Sequence, residues 1–131
     1  MAKQTIRFDE PVENSAELSQ ILSNLSQFTG TMQYHKGMMT VTYTDGIKDL
    51  IKLAECYWLI EDISIVSKMK FSNILFQIWI LQVQNGEGIL TMKEDTNEPV
   101  LYRQEYSFTD FPAGTLKLYL IDGVMLLPNE Y

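Results

Sequence analysis

From Ala16 to Phe28 apolar side chains recur every three or four residues: Ala16, Leu18, Ile21, Leu22, Leu25 and Phe28, with Ser19, Gln20, Ser23, Asn24 and Gln27 between them. That spacing predicts a helix with a single apolar stripe. Asn14 or Ser15 can cap its start, Glu17 suits the positive end of its dipole, and Thr29-Gly30 ends it. From Thr31 the period falls to two. Met39, Val41 and Tyr43 face one way and Met38, Thr40 and Thr42 the other, after a turn or bulge at Lys36-Gly37.

Residues 44–63 return to a helical period. Ile47, Leu50, Ile51, Ala54 and Trp58 form the buried stripe, Leu53 and Tyr57 widen it, and Lys48, Asp49 and Lys52 face water. The pattern predicts one amphipathic helix, capped by Thr44 or Asp45. Glu61 and Asp62 lie at the unfavourable pole of its dipole and predict a stop there. Ile63-Ser64-Ile65-Val66 fits either a continuation or the start of a strand.

Beyond residue 70 the chain reads as strands. Residues 74–83 carry large apolar groups on both faces, as in a central strand covered on both sides. Asn85-Gly86-Glu87-Gly88 is a hairpin signal, Ile89 to Lys93 pairs back, and residues 94–99 are a polar turn. From Val100 to Phe108 Tyr102, Tyr106 and Phe108 alternate with Arg103, Glu105 and Ser107, and residues 109–114 break the strand. Leu116, Leu118 and Leu120 make the next strand. Asp122-Gly123 predicts a type I′ turn, from which Met125-Leu126-Leu127 return before Pro128 stops the pairing.

The order is α-β-α-β-β-β-β-β. Strands joined by short turns, with helices segregated from them, predict an α+β fold: an antiparallel sheet of five to six strands with two helices packed on one face. Residues 1–13 form an N-terminal arm and residues 14–131 a single domain.

Composition narrows the function more than the fold. At 131 residues the chain can bury roughly two-thirds of its unfolded surface, so its core needs no disulfide or metal. Cys56 is the sole cysteine, which excludes an internal disulfide and a multi-cysteine zinc site. The first residues lack the apolar region of a secretory signal, and no apolar run approaches the ~20 residues of a membrane span. A cytoplasmic protein without membrane contact is expected. A net charge of −7 with scattered lysines and arginines argues against direct nucleic-acid binding.

Phe28-Thr29-Gly30-Thr31, Tyr43-Thr44-Asp45-Gly46, Tyr57-Trp58-Leu59-Ile60, Thr109-Asp110-Phe111-Pro112 and Leu127-Pro128-Asn129-Glu130-Tyr131 follow one another along the chain. The series resembles a family of small uncharacterised proteins, a domain of unknown function of bacteria, phages and mobile elements, over about residues 28 to 131. Glu61 and Asn129 stand where that pattern usually has Asp and Ser. The resemblance implies a prokaryotic or phage setting, and it supplies no activity, cofactor or catalytic residue.

Single residues yield few chemical candidates. A nucleophilic Cys56–His35 pair would need hydrogen-bond reach and a lowered thiol pKa, whereas Cys56 reads as a small buried hydrophobe and His35 as a strand-end surface residue. Adjacent acids such as Glu61 and Asp62 point apart and form no dyad. Asp45 and Asp110 each follow a threonine at a strand exit and would form a cleft if those ends met, although turn and capping roles account for each alone. Trp58 and Trp79 are expected in the core, and aromatic Tyr131 is expected to dock in a surface groove. No pattern calls for a cofactor or a metal.

The expectation is a small acidic, non-enzymatic protein whose partner is another protein, with Tyr43, Asp45, Asp110, Glu61, Asp62 and Tyr131 as candidate interaction surface. One alternative is a small enzyme with a cleft near Tyr43, Asp45, His35 and Asp110. Another is a self-associating protein, a homodimer joined through a sheet edge or face.

Overall fold

The computed structural model describes residues 6–8 and 11–131. Positions 1–5, 9 and 10 of the expected arm lie outside the described residues. The fold is α+β: among the described residues three helices cover one face of a seven-stranded sheet.

Helix α1, Ala16–Leu25, begins where Ser15 accepts a hydrogen bond from the Leu18 N–H at 3.2 Å. The neighbouring Asn14 instead accepts from the Thr115 N–H at 2.9 Å, tying the helix start to the sheet. Leu18, Ile21 and Leu25 are the buried stripe.

The strand expected between Thr31 and Tyr43 is two strands, β1 (Tyr34–Lys36) and β2 (Thr42–Thr44), paired antiparallel. A 3-10 turn at Met38–Thr40 separates them, with Met39 and Thr40 at φ 55° and 64°. Left-handed backbone is uncommon for residues other than glycine, asparagine and aspartate, so the alternating pattern hid this turn.

The single helix expected over 44–63 is also two. Helix α2 spans Asp45–Ala54 and helix α3 spans Tyr57–Lys70, so the acids at 61–62 do not stop it and residues 63–66 continue it. The break is at Glu55, which is left-handed at φ 51°. No glycine or proline marks it. Cys56, fully buried, holds the corner: its thiol donates to the Leu50 carbonyl at 3.8 Å. Redirecting the chain lets Leu59, Ile60 and Ile63 enter the core, each burial contributing roughly 1.5–3 kcal/mol.

Strands β3 (Phe76–Gln84), β4 (Glu87–Lys93), β5 (Tyr102–Tyr106), β6 (Gly114–Ile121) and β7 (Val124–Leu126) follow the five expected C-terminal strands. Both predicted hairpins turn through two residues with paired positive φ, 56° and 76° at Asn85-Gly86, within the expected 85–88 signal, and 47° and 79° at Asp122-Gly123. That is type I′ geometry, matched to the strand twist. Sheet order is β1-β2-β7-β6-β3-β4-β5. The wholly antiparallel expectation is corrected at one place: β2 and β7 are parallel, with Thr42 opposite Val124 and Tyr43 opposite Met125. A parallel pair needs a long crossover, and here the crossover is most of the chain.

Trp79, Leu81 and Val83 of β3 and Leu116, Leu118 and Leu120 of β6 meet the helices in one core. Gln77, a polar residue in the apolar run, is buried but satisfied. Its amide donates to the carbonyls of Phe71 and Ile74 and accepts from the Trp79 indole at 2.9 Å. Against the opposite face Thr115 donates to the Val12 carbonyl at 2.9 Å, and Arg103 donates to the Ile6 carbonyl. No described helix is long and apolar enough to cross a membrane.

Candidate functional site

Two groups of side chains account for most of the expected site residues. The first surrounds the N-terminus of α2. Thr44 caps the helix, accepting from the Ile47 N–H at 3.3 Å. Asp45 does different work: one carboxylate oxygen lies 2.8 Å from His35 Nε2, and the other accepts from the Met32 and Gln33 N–H groups at 3.0 and 3.3 Å. The imidazole, then the Met32 N–H, hold its carboxyl below the usual carboxylate range. The Asp45 N–H donates in turn to Thr31 Oγ1 at 2.9 Å. Tyr43 is paired with His35 across the strands, their rings 5.4 Å apart.

Glu130 completes this group from the other end of the chain. Its carboxylate accepts from the Thr44 hydroxyl at 2.6 Å, the Gly46 N–H at 3.1 Å and the Leu127 N–H at 2.9 Å. A carboxylate on the first N–H groups of a helix is favourable through both hydrogen bonding and the dipole. The adjoining Asn129 amide donates to the carbonyls of Leu25 and Phe28, closing the end of α1. Tyr131 stays largely exposed, its ring set edge-on to Phe76 and Tyr119 at 5.9 and 5.7 Å. These polar groups therefore bond to one another and to backbone.

The second group lies where α3 starts. The loop after β5 is anchored by the Thr109 N–H, which donates to the Gly86 carbonyl at 2.7 Å, and by Thr109 Oγ1, which accepts from the Phe111 N–H at 3.2 Å. Phe111 is buried in the core and Phe108 stands almost free. Trp58, Tyr106, Phe108, Thr109 and Asp110 line an open hollow of about 240 Å³. Trp58 and Tyr106 meet edge to face, 5.2 Å apart at 71°, and form its corner. The Tyr106 hydroxyl donates to Asp62 at 2.7 Å. Burial, and then that carboxylate, push the Tyr106 phenol well above its ordinary pKa, so the ring stays a neutral donor. A second hollow beside Lys68 and Gly123 holds only about 50 Å³.

The four residues of the expected cleft are thus divided. His35, Tyr43 and Asp45 meet, while Asp110 is on the rim of the larger hollow, beside Trp58 and Tyr106. Pairing directions put the end of β2 and the start of β6 at the same end of the sheet. Asp110 nevertheless belongs to a loop tied to Gly86 beyond β3, with β7 and β6 between β2 and β3. Cys56 and His35 do not meet, and burial pushes the thiol up to about 12. Glu61 is half-buried on α3 and Asp62 holds Tyr106. Among the described residues no three His, Cys, Asp or Glu side chains cluster as metal ligands would.

Sequence reasoning missed Glu130, Asn129 and Thr31 as partners of α1 and α2, and Phe108 as a wall of a hollow, while Trp58, expected in the core, is half-buried and forms the corner of that hollow. Phe108 carried a signal: it is a large apolar residue beside a turn, outside the strand pairing.

The model of a family of unknown function (DUF6876) matches residues 19–131. No curated protein and no solved structure matches the chain.

Proposed function

The chain belongs to this family of unknown function, so its activity is read from its own surface, and we propose that it acts by binding another protein rather than by catalysis. The observation that carries this reading is the contrast between the two groups. The polar residues at α2 are engaged in capping and turn bonds, whereas the hollow at Trp58 is open, walled by aromatic rings and overhung by Phe108, 79% exposed. Its volume is below the roughly 300–1,000 Å³ of sites that enclose a small-molecule ligand, and suits one side chain of a partner. Exposed aromatic residues around such a depression are typical anchors of protein recognition. In the bacterial or phage setting that the motif series implies, the partner is a host component.

A photoreactive residue placed at position 108, and another at exposed Met69 as control, test this in the native host. A discrete protein adduct at 108 that is absent at 69 supports the reading. Equal background at both positions, or a metabolite copurifying instead, overturns it.

A further inference from the structure

We propose that the hollow takes a basic side chain of the partner protein, arginine foremost, with its cation between the aromatic walls and the Asp110 carboxylate. This rests on the protein-binding reading and adds the chemistry of the contact. Trp58 and Tyr106 stand at 71° to one another and Phe108 adds a third ring, so a group entering the hollow meets aromatic rings on more than one side. A purely apolar guest would be served by the rings alone. Asp110 makes the difference: it lines the same hollow, is exposed, and takes part in no ion pair among the described residues. Among the described residues no lysine or arginine lines the hollow to compete for it.

The wider field points the same way. The Tyr106 hydroxyl gives its hydrogen bond to Asp62, which places a second carboxylate behind that ring. The chain carries a net charge of −7, which attracts basic partners and steers their approach. Aromatic faces attract cations through their quadrupoles, tryptophan most strongly. Arginine fits better than lysine because its planar guanidinium can stack on a ring while two of its N–H groups meet one carboxylate.

The test is an NMR titration of the full chain with N-acetyl-arginine amide, read at the Trp58 indole and at the Phe108 and Asp110 amides. The Trp79 indole, buried and bonded to Gln77, is the internal reference. N-acetyl-citrulline amide, the uncharged isostere, and N-acetyl-norleucine amide are the comparisons. Arginine amide is expected to shift the Trp58 signals saturably at millimolar concentration, with citrulline at least about five-fold weaker. Asp110→Asn, an exposed change that leaves the Trp79 signal in place, is expected to weaken arginine about five-fold. Equal binding of citrulline or norleucine overturns the cationic guest while leaving a protein contact at position 108 standing. Arginine shifts spread over the acidic surface without Trp58, or no shift at all, also overturn it. A missing adduct at position 108 instead removes the protein-binding reading itself.

Discussion

Gly46 and Glu130, 84 positions apart in the chain, are in contact: a Cβ on Gly46 would lie 2.5 Å from Glu130 Oε1 and 2.6 Å from Leu127 Cδ1. The glycine makes room for the carboxylate that caps its own helix. Two effects of opposite sign meet at this position. Alanine favours a helix over glycine by about 1 kcal/mol, whereas displacing Glu130 loses charge-assisted bonds contributing about 1.5–3 kcal/mol each. Gly46→Ala is therefore expected to destabilise the protein by about 1–2 kcal/mol in denaturant unfolding. In a Glu130→Ala background the same change is expected to be neutral or stabilising. An unchanged cost there would mean that the Leu127 side chain, not the carboxylate, sets the requirement for glycine.

Acid should act partly through Asp45. Its folded pKa is lowered, so its contribution is complete above the ordinary carboxylate range and is lost as pH falls through the folded value. Between about pH 5 and pH 2 the wild type is expected to lose stability more steeply than Asp45→Asn. Parallel pH profiles from thermal unfolding would count against the His35–Asp45 bond.

Cys56 should be chemically silent in the folded state. Its thiol is buried, pushed up to about 12 and directed at the Leu50 carbonyl. Labelling with a thiol reagent at about pH 8 is expected to follow the rate of unfolding and to accelerate with denaturant. Rapid labelling without denaturant would show that the α2–α3 corner opens locally. Cys56→Ala leaves a small void and is expected to cost about 1–2 kcal/mol.

Glu55 is the position where an added glycine should help. Its left-handed φ of 51° costs an L-residue roughly 1 kcal/mol and costs glycine nothing. Because glycine also gains freedom in the unfolded chain, Glu55→Gly is expected to raise stability by about 0.5 kcal/mol. Glu55→Val should lower it by more than that, and thermal unfolding of the two variants side by side decides the sign.

What could be read from the sequence was local. Ser15, Asn85-Gly86 and Asp122-Gly123 act through bonds within a few residues, and each does what its residue type predicts. The breaks at Met39-Thr40 and Glu55 were hidden because their backbone is set by the elements they join, the β1–β2 pair and the corner held by buried Cys56, rather than by glycine. The Glu130–Gly46 bond joins residues 84 positions apart, so neither residue signals the other locally. The hollow was obscured by Trp58, whose helical spacing matched the core stripe although the corner at Cys56 turns it toward Tyr106. The Asp45–Asp110 cleft was suggested by two similar strand exits, but strand order in the sheet decided their distance.

The parallel pairing of β2 with β7 has a consequence for how the protein is made. The β1–β2 hairpin emerges from the ribosome early, yet among the described residues its only other neighbour in the sheet is β7. The Glu130 cap of α2 arrives later still. Until residues 124–130 have been synthesised, the first half of the chain carries an open strand edge and an incompletely capped helix. Nascent chains arrested before Val124 should therefore stay protease-sensitive in residues 34–54, and protection should appear there only when the last strand has cleared the exit tunnel.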